Sequence, residues 1–368
     1  MKPLKTSILT LALACLCACT TTPEKPNQEP VNLYSACEAV GESDGLNEDS
    51  YVLIGGVKQW VSIRGEDCSN PVVLIVHGGP GNPLSLYHDS LFEAFEKDFT
   101  IVHWDQRGSG RTYEAQFASD DLSFDMLTNA ALSVDLLTSD GNEVAAYIRK
   151  RLGKDKIIIS GSSWGSFLAV KMIHAEPSHY HFYVGTSQLV NAETMYATSY
   201  ETIQSIAKAK NDNAAIAILD EIGAPPWSAP RSFGMLRRIV RKYELEAVPQ
   251  LTQWKIDGQY HIEEPNIPYM YGEEFSFLRY IGLKGDVGMI QDVALDKCCT
   301  DPKIPVYFLH GKKDYLTTHE VTENYYSTIH AAEKELSLLE NTGHDQTPEM
   351  QKALLETLRL GSSKFISN

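Results

Sequence analysis

The sequence predicts an α/β fold with a mostly parallel sheet, because short apolar runs alternate with helix-like stretches along the chain. The runs at 72–76 and 157–159 are continuously apolar, which is typical of strands that are covered on both faces. Each is followed by a glycine-containing turn, and the same arrangement recurs where the run 304–309 precedes His310-Gly311. The other predicted strands are an antiparallel hairpin over 51–63 and core strands at 101–104 and 336–339.

Helical spacing of apolar residues predicts the helices between these strands, at 84–97, 141–152, 166–174, 192–210 and 213–221. The helix at 141–152 is expected to be capped by Ser139 or Asp140. No core-strand run occurs between about 191 and 299, which favours a helical cap inserted between strands over a second independent domain. The predicted divisions are a signal peptide at 1–18, a tether and N-terminal extension at 19–48, core parts at 49–188 and 301–368, and the cap at 189–300.

The composition is that of a globular protein, with 43% hydrophobic and 22% charged residues among 368. This length allows one large α/β domain with an insertion, or two ordinary domains. The formal net charge of −16 argues against nucleic acid as a partner, because binding phosphates needs a basic surface.

The N-terminus carries the pattern of an export signal. Two lysines precede the apolar stretch 7–18, which is too short to span a membrane. The segment Leu16-Cys17-Ala18-Cys19 that ends this stretch resembles a bacterial lipobox, and it predicts cleavage before Cys19 with lipid attached to that residue. Cys15 and Cys17 fit the lipobox less well, and an ordinary secretory signal is the alternative. Acylation of Cys19 would supply the several lipid chains that stable anchoring requires.

The residues after Cys19 predict how the protein is held at a membrane. Residues 20–30 are polar and rich in proline, which predicts a tether between the lipid anchor and the folded part. Position 20 is Thr, whereas many lipoproteins kept at the inner membrane carry Asp there. We therefore expect an exported lipoprotein at the outer membrane, facing the periplasm.

Four cysteines remain beyond Cys19, an even number that permits disulfide bonds in an exported protein. Cys37 with Cys68 is one candidate pair, although the sequence leaves the pairing open. The adjacent residues Cys298 and Cys299 are not expected to bond to each other. No spacing of His and Cys residues indicates a metal site, and no cofactor is expected.

The segment Gly161-Ser162-Ser163-Trp164-Gly165 lies between a predicted strand and a predicted helix. A strand, the pattern G-x-S-x-G and a helix together make the nucleophile elbow of α/β-hydrolases. Because the elbow holds its serine on a tight, strained turn, larger side chains two residues to either side would collide. Ser163 has glycine at both of these positions, whereas Ser162 would have Trp164 at one of them. The candidate nucleophile is therefore Ser163.

Asp314 and His344 complete a candidate catalytic triad. Each follows the carboxyl end of a predicted strand, where a parallel sheet binds its ligands, and the chain order Ser, Asp, His is that of α/β-hydrolases. Ser163 would attack a carbonyl carbon, His344 would accept and return the proton, and Asp314 would fix the imidazole tautomer. Asp301 is a weaker candidate acid because it precedes its strand, and Asp345 is weaker because it adjoins His344.

A candidate oxyanion hole accompanies the triad. One donor would be the backbone N–H of Trp164, directly after the nucleophile. The second would come from the turn after the strand 72–76, where Gly79 lets the backbone approach the substrate.

Three motifs occur together in this chain: His77-Gly78-Gly79-Pro80-Gly81, Asp105-Gln106-Arg107-Gly108-Ser109-Gly110-Arg111-Thr112 and Gly161-Ser162-Ser163-Trp164-Gly165-Ser166. The combination resembles the proline iminopeptidase branch of the α/β-hydrolases, and the resemblance covers about 51–360. It implies the triad and oxyanion residues given above. It also implies removal of an N-terminal residue, often proline, from peptides without a metal.

Members of that family use acidic cap residues to hold the free amino group of the substrate. The candidates here are Glu193, Glu201, Glu273 and Glu274. The leading hypothesis is a lipid-anchored serine hydrolase of small peptides or acyl compounds, favoured as an aminopeptidase. An esterase or other small-molecule acyl hydrolase is the alternative, and a catalytically silent binding lipoprotein is a third hypothesis.

Overall fold

Eight strands form one sheet in the spatial order β1-β2-β4-β3-β5-β6-β7-β8. The computed structural model describes residues 45–117, 129–248, 254–257, 267–283 and 288–366. The strands are β1 (Leu46–Ile54), β2 (Val57–Gly65), β3 (Val72–Val76), β4 (Thr100–Trp104), β5 (Ile157–Ser162), β6 (Tyr180–Thr186), β7 (Val306–Gly311) and β8 (Lys334–Leu339). β2 pairs antiparallel with β1 and β4, and the other neighbours pair parallel. The predicted mostly parallel α/β sheet is confirmed, including the N-terminal hairpin.

Helices connect the parallel strands. They are α1 (His88–Leu91), α2 (Gly110–Gln116), α3 (Val134–Leu152), α4 (Trp164–Ala175), α5 (Ala192–Lys210), α6 (Asn213–Ile222), α7 (Pro230–Ala247), α8 (Ile267–Ile281), α9 (Leu295–Cys298), α10 (His319–Thr328) and α11 (Pro348–Phe365). The described helices α5 to α9 lie between β6 and β7 and are called the inserted helices below. Within the described ranges, no helix combines the length and hydropathy needed to cross a membrane.

The core lies on both faces of the sheet. On β3, Leu74 belongs to the same apolar cluster as Val144 of α3 and Phe167 of α4. The preceding residue, Val73, belongs to a second cluster that contains Leu354 of α11. Successive strand residues point to opposite faces, so a strand covered on both sides is apolar throughout, as the sequence predicted.

The predicted helix at 84–97 is wrong as a continuous element. The structure has 3₁₀ turns at Ser85–Tyr87 and Glu93–Phe95 around the four-residue helix α1. His88 explains the break, because its Nε2 lies 2.7 Å from Oε1 of Glu96, eight residues further along. Eight residues of a straight helix span about 12 Å, so the chain must turn back for this contact to form.

The predicted start of the helix at 141–152 is also wrong. Helix α3 begins at Val134, and its N-cap is Ser133, whose side chain accepts a hydrogen bond from the N–H of Leu136. Asp140 does not cap the helix, because its carboxylate is buried and accepts hydrogen bonds from the guanidinium of Arg107. The helix thus begins about two turns earlier than expected.

The adjacent cysteines correct a third expectation. Cys298 and Cys299 form a disulfide bond with each other. Successive side chains in a helix diverge by about 100°, but the chain leaves α9 at Cys299, where φ is −131°. Cys68 is also disulfide-bonded.

Several predictions concern residues outside the described ranges. They are the signal peptide, the lipid-attachment residue Cys19, Cys37 and all of the N-terminal extension before residue 45. These predictions, and the limits of the core parts and the cap, stay predictions.

Candidate active site

Ser163 lies at the turn between β5 and α4. Its backbone has φ 53° and ψ −121°, a conformation that residues other than glycine rarely adopt. A Cβ atom on Gly161 would lie 2.3 Å from the carbonyl oxygen of Gly165, and one on Gly165 would lie 2.0 Å from that of Val76. The strained turn and the need for glycine on both sides of Ser163 are therefore confirmed.

The structure brings the three predicted triad residues together. Nε2 of His344 lies 3.0 Å from Oγ of Ser163. On the other side of the ring, Nδ1 of His344 lies 3.0 Å and 3.1 Å from the two carboxylate oxygens of Asp314. Asp314 follows β7 and His344 follows β8, so neighbouring strand ends carry the candidate acid and the candidate base. This arrangement allows His344 to accept a proton from the serine hydroxyl while Asp314 orients the ring.

Asp314 is held by further donors in its own loop. One carboxylate oxygen accepts from the backbone N–H groups of Leu316 and Thr317, and the other accepts from the Thr317 hydroxyl. The hydroxyl also lies 3.1 Å from Nδ1 of His344. Sequence reasoning missed Thr317, although its spacing of three residues from an aspartate is a pattern typical of turns.

The two predicted oxyanion-hole residues lie beside Ser163. Trp164 is the first residue of α4, and the first N–H groups of a helix have no acceptor within the helix. Gly79 has φ 111° in the turn after β3. This turn lies close to the serine, since a Cβ atom on Gly78 would be 3.3 Å from Cβ of Ser163.

Gln106 joins the three sequence motifs. Its side-chain amide donates to the carbonyl oxygen of His77 at 2.9 Å, and its backbone N–H donates to Nε2 of His77 at 3.1 Å. Its side-chain oxygen accepts from the indole N–H of Trp164 at 3.1 Å. Burial lowers the pKa of His77 to about 4, so the ring stays neutral and can accept with Nε2. Sequence reasoning assigned Gln106 no role, although it stands within a quoted motif.

Comparisons with known proteins agree with this architecture. A family model described as alpha/beta hydrolase fold matches residues 71–211. A probable aminopeptidase of Bacillus subtilis is 29% identical over 316 residues, which covers 82% of this chain and 91% of the relative. A proline iminopeptidase of Clostridioides difficile is 25% identical over 198 residues, covering 53% of this chain and 60% of the relative. The crystal structure of a Mycobacterium smegmatis proline iminopeptidase superposes with a TM-score of 0.59 at 15% identity, over 86% of this chain and 99% of that one.

The chain has the α/β-hydrolase fold. The family match spans β4, β5 and the turn that carries Ser163. The fold expected from the sequence is thereby confirmed.

The charges around His344 favour its protonated form. Burial alone would lower the pKa of His344, and the positive charge of Arg237 acts in the same direction. The carboxylates of Asp314 and Glu244 outweigh both effects and raise this pKa above its ordinary value. Burial alone would raise the pKa of Asp314, but His344 and His310 hold it below its ordinary value. Asp314 is thus ionised and stabilises any positive charge that the imidazole acquires.

The acidic residues suggested for binding an amino group differ in their positions. All four are exposed, Glu193 and Glu201 on α5 and Glu273 and Glu274 on α8. Glu273 lies against the turn after β3, because a Cβ atom on Gly81 would be 2.9 Å from its Cα. Desolvation raises the pKa of Glu273, and Arg237 acts against this effect. Of the four candidates, Glu273 is therefore placed beside the candidate oxyanion turn.

A cavity of about 710 Å³ lies among the inserted helices. Aromatic side chains line part of it, namely Tyr196, Trp227 and Phe233, and Glu193 and Lys297 also lie along its wall. The three triad residues are not among those that line it.

Proposed function

We propose that the protein is a serine hydrolase that removes N-terminal residues from small peptides through the triad Ser163, His344 and Asp314. The observation that carries this proposal is the 3.0 Å contact between Oγ of Ser163 and Nε2 of His344, made at a strained strand-to-helix turn. Strain of this kind is retained where it serves function.

The proposed reaction proceeds through an acyl-enzyme. Ser163 attacks the carbonyl carbon of the scissile bond while His344 accepts the hydroxyl proton. The backbone N–H groups of Trp164 and Gly79 stabilise the negative oxygen of the tetrahedral intermediate. His344 then protonates the leaving amine, and a water molecule, deprotonated by His344, hydrolyses the acyl-enzyme.

Two facts support an aminopeptidase among the serine hydrolases. The related proteins from Bacillus subtilis and Clostridioides difficile are named probable aminopeptidase and proline iminopeptidase, respectively. In addition, the Cα of Glu273 lies against Gly81, and its carboxylate is hydrogen-bonded to the side chain of Asn82 in the same turn, where the free amino group of a substrate could pair with it. Glu273 is therefore the candidate for recognition of the peptide N-terminus.

A fluorophosphonate probe tests the nucleophile, because it reacts with activated serines. We expect the wild type to be labelled and S163A to lose labelling. S162A is the matched control, since Ser162 is adjacent and its hydroxyl contacts Gln346 instead of His344. Labelling that survives in S163A would refute the proposal.

The substrate class is tested by comparing proline naphthylamide with p-nitrophenyl acetate. We expect turnover of the naphthylamide, with a large rise in KM for E273Q and little change for E274Q. Turnover of the ester alone would remove the aminopeptidase assignment and leave an esterase.

We also propose that the protein is exported and anchored to the outer membrane by lipid on Cys19. The support is the lipobox-like sequence Leu16-Cys17-Ala18-Cys19 after an apolar stretch. Feeding cells an alkyne-tagged fatty acid should label the wild type and C17A but not C19A, and fractionation should find C19A outside the membrane pellet. Label that persists in C19A would contradict this assignment.

A further inference from the structure

Helix α7 places one carboxylate between the two loops that carry the acid and the base. Glu244 is 1% exposed, and its Oε1 accepts a hydrogen bond of 2.8 Å from the backbone N–H of Tyr315, the residue after Asp314. Its carboxylate also accepts a hydrogen bond from the backbone of His344. One side chain of the inserted helices therefore binds the backbone of both loops.

Glu244 also packs closely against Gly343, the residue before His344. A Cβ atom on Gly343 would lie 3.5 Å from the carboxyl carbon of Glu244. The loop after β8 therefore packs directly on this side chain. A buried backbone N–H that loses its acceptor costs free energy, so the two loops depend on the carboxylate for satisfied hydrogen bonds.

A second contact fixes the same face of α7 to the same loop. Arg241 forms an ion pair with Asp345, the residue after His344. Residues three apart on a helix lie on the same face, so Arg241 and Glu244 both point toward this loop. Helix α7 is thereby attached beside the base at two adjacent points.

The charges that face Glu244 link it to the proton chemistry of the site. Burial raises the pKa of Glu244, the negative charge of Asp314 adds to this effect, and His344 opposes it. Tyr315 faces it from the loop after β7, and Arg237 of the same helix acts on His344. An ionised Glu244 in turn raises the pKa of His344.

We propose that Glu244 is a positioning residue of the triad, which holds the loops of Asp314 and His344 in register and stabilises the protonated imidazole through its negative charge. The inference rests on the proposed serine-hydrolase function. Positive charge develops on His344 when Ser163 attacks, so a second carboxylate nearby lowers the energy of that state. One of the inserted helices thus contributes a residue that acts on the triad.

The pH dependence of fluorophosphonate labelling of the full-length protein tests this role without a known substrate. E244Q keeps the size of the side chain and removes its charge. We expect its maximal labelling rate to fall about tenfold, and the midpoint of its acidic limb to move to lower pH by roughly 0.5–1 unit, because His344 loses a charge that raises its pKa. E246Q is the matched control, because Glu246 lies on the same helix, exposed and paired with Lys210.

The outcomes separate this inference from the proposed function. If the wild type is not labelled, the serine-hydrolase proposal fails and the inference fails with it. If the wild type is labelled and E244Q matches it in rate and midpoint, only the inference is overturned. If E244Q is labelled more slowly but its pH midpoint does not move, Glu244 only holds the two loops in place, and its electrostatic role is overturned.

A second variant covers the case in which E244Q does not fold. E244D keeps the charge but withdraws the carboxylate by one methylene group from the N–H groups of Tyr315 and His344. We expect the wild-type midpoint with a several-fold lower labelling rate. An unchanged rate in E244D would overturn the positioning role.

Discussion

At the scale of single residues, the turn of Ser163 depends on the absence of side chains around it. The carbonyl oxygens of Val76 and Gly165 occupy the space that Cβ atoms on Gly165 and Gly161 would need. Backbone atoms cannot move aside as a flexible side chain can. The serine is thus held in its strained conformation by packed backbone on both sides.

G165A is expected to be strongly destabilised. The new methyl group would lie 2.0 Å from the oxygen of Val76, so we expect a loss of at least about 2 kcal/mol in the free energy of unfolding. Urea denaturation followed by circular dichroism measures it. G234A is the control, because no atom lies within 4 Å of its added Cβ on α7. There we expect a gain of up to about 1 kcal/mol, and equal stability of the two variants would contradict the argument.

The acidic limb of the activity profile should lie above the ordinary range of histidine. The carboxylates facing His344 raise its pKa above 6.5, and only the neutral ring can accept the serine proton. Activity should therefore fall as the pH drops through a midpoint higher than 6.5. Labelling rates measured from about pH 5 to 9 give the midpoint, and a value below 6.5 would be inconsistent with the charge arrangement.

At the scale of elements, a buried ion pair joins the N-terminal hairpin, the loop after β4 and helix α3. Arg107 donates to both carboxylate oxygens of Asp140 and to the carbonyl oxygen of Gly55. Gln59 of β2 donates to the same carboxylate at 2.8 Å. One carboxylate on α3 thus fixes the position of two other elements.

D140N should destabilise the fold. Arg107 has a side-chain exposure of 9% in its ion pair with Asp140, so an amide partner would leave its charge buried and uncompensated, at a cost of about 3 kcal/mol. Thermal and urea unfolding would measure the change. The exposed pair Lys352 and Glu356 provides the control, since K352A should alter stability by less than about 0.5 kcal/mol. Similar losses in the two variants would refute the role of burial.

The sequence predicted elements well where burial alone determines them. β3 is apolar at every position and was predicted with its observed limits, since a strand covered on both faces has no alternative pattern. The start of α3 was predicted wrongly because Asp140-Gly141 looks like the beginning of a helix, whereas Asp140 is in fact a core partner of Arg107. Local sequence cannot show a partner 33 residues away.

The candidate site was predictable from the sequence only where its residues follow strand ends. Ser163, Asp314 and His344 each follow a strand end, and strand ends are visible in the sequence. Glu244 was not predictable, because it lies in a helix rich in charged residues. Only the folded chain shows that it alone among the charged residues of α7 is buried, with its carboxylate bound to the loop after Asp314. Residues that act through contacts between distant elements leave no local pattern.

At the scale of the whole molecule, negative charge is in excess, with 48 acidic against 32 basic residues. Mutual repulsion among these charges opposes the compact state. The acidic surface is therefore expected to make stability depend on ionic strength.

The thermal unfolding midpoint should rise with salt. Raising NaCl from about 20 mM to about 300 mM shortens the Debye length to below 10 Å and weakens repulsion between surface charges. Differential scanning calorimetry measures the midpoint, and KF at equal ionic strength controls for specific effects of one salt. A midpoint that falls in both salts would mean that attractive ion pairs outweigh the repulsion.

The order of the triad along the chain has a consequence for how the molecule matures. Ser163 precedes the inserted helices, whereas Asp314 and His344 follow them, in the loops after β7 and β8, with β8 at the edge of the sheet. A chain that is still being synthesised, or has not yet docked β8, holds the serine without its base. Under the proposed mechanism, peptide hydrolysis begins only when the C-terminal edge of the sheet is in place, so activity itself reports that folding is complete.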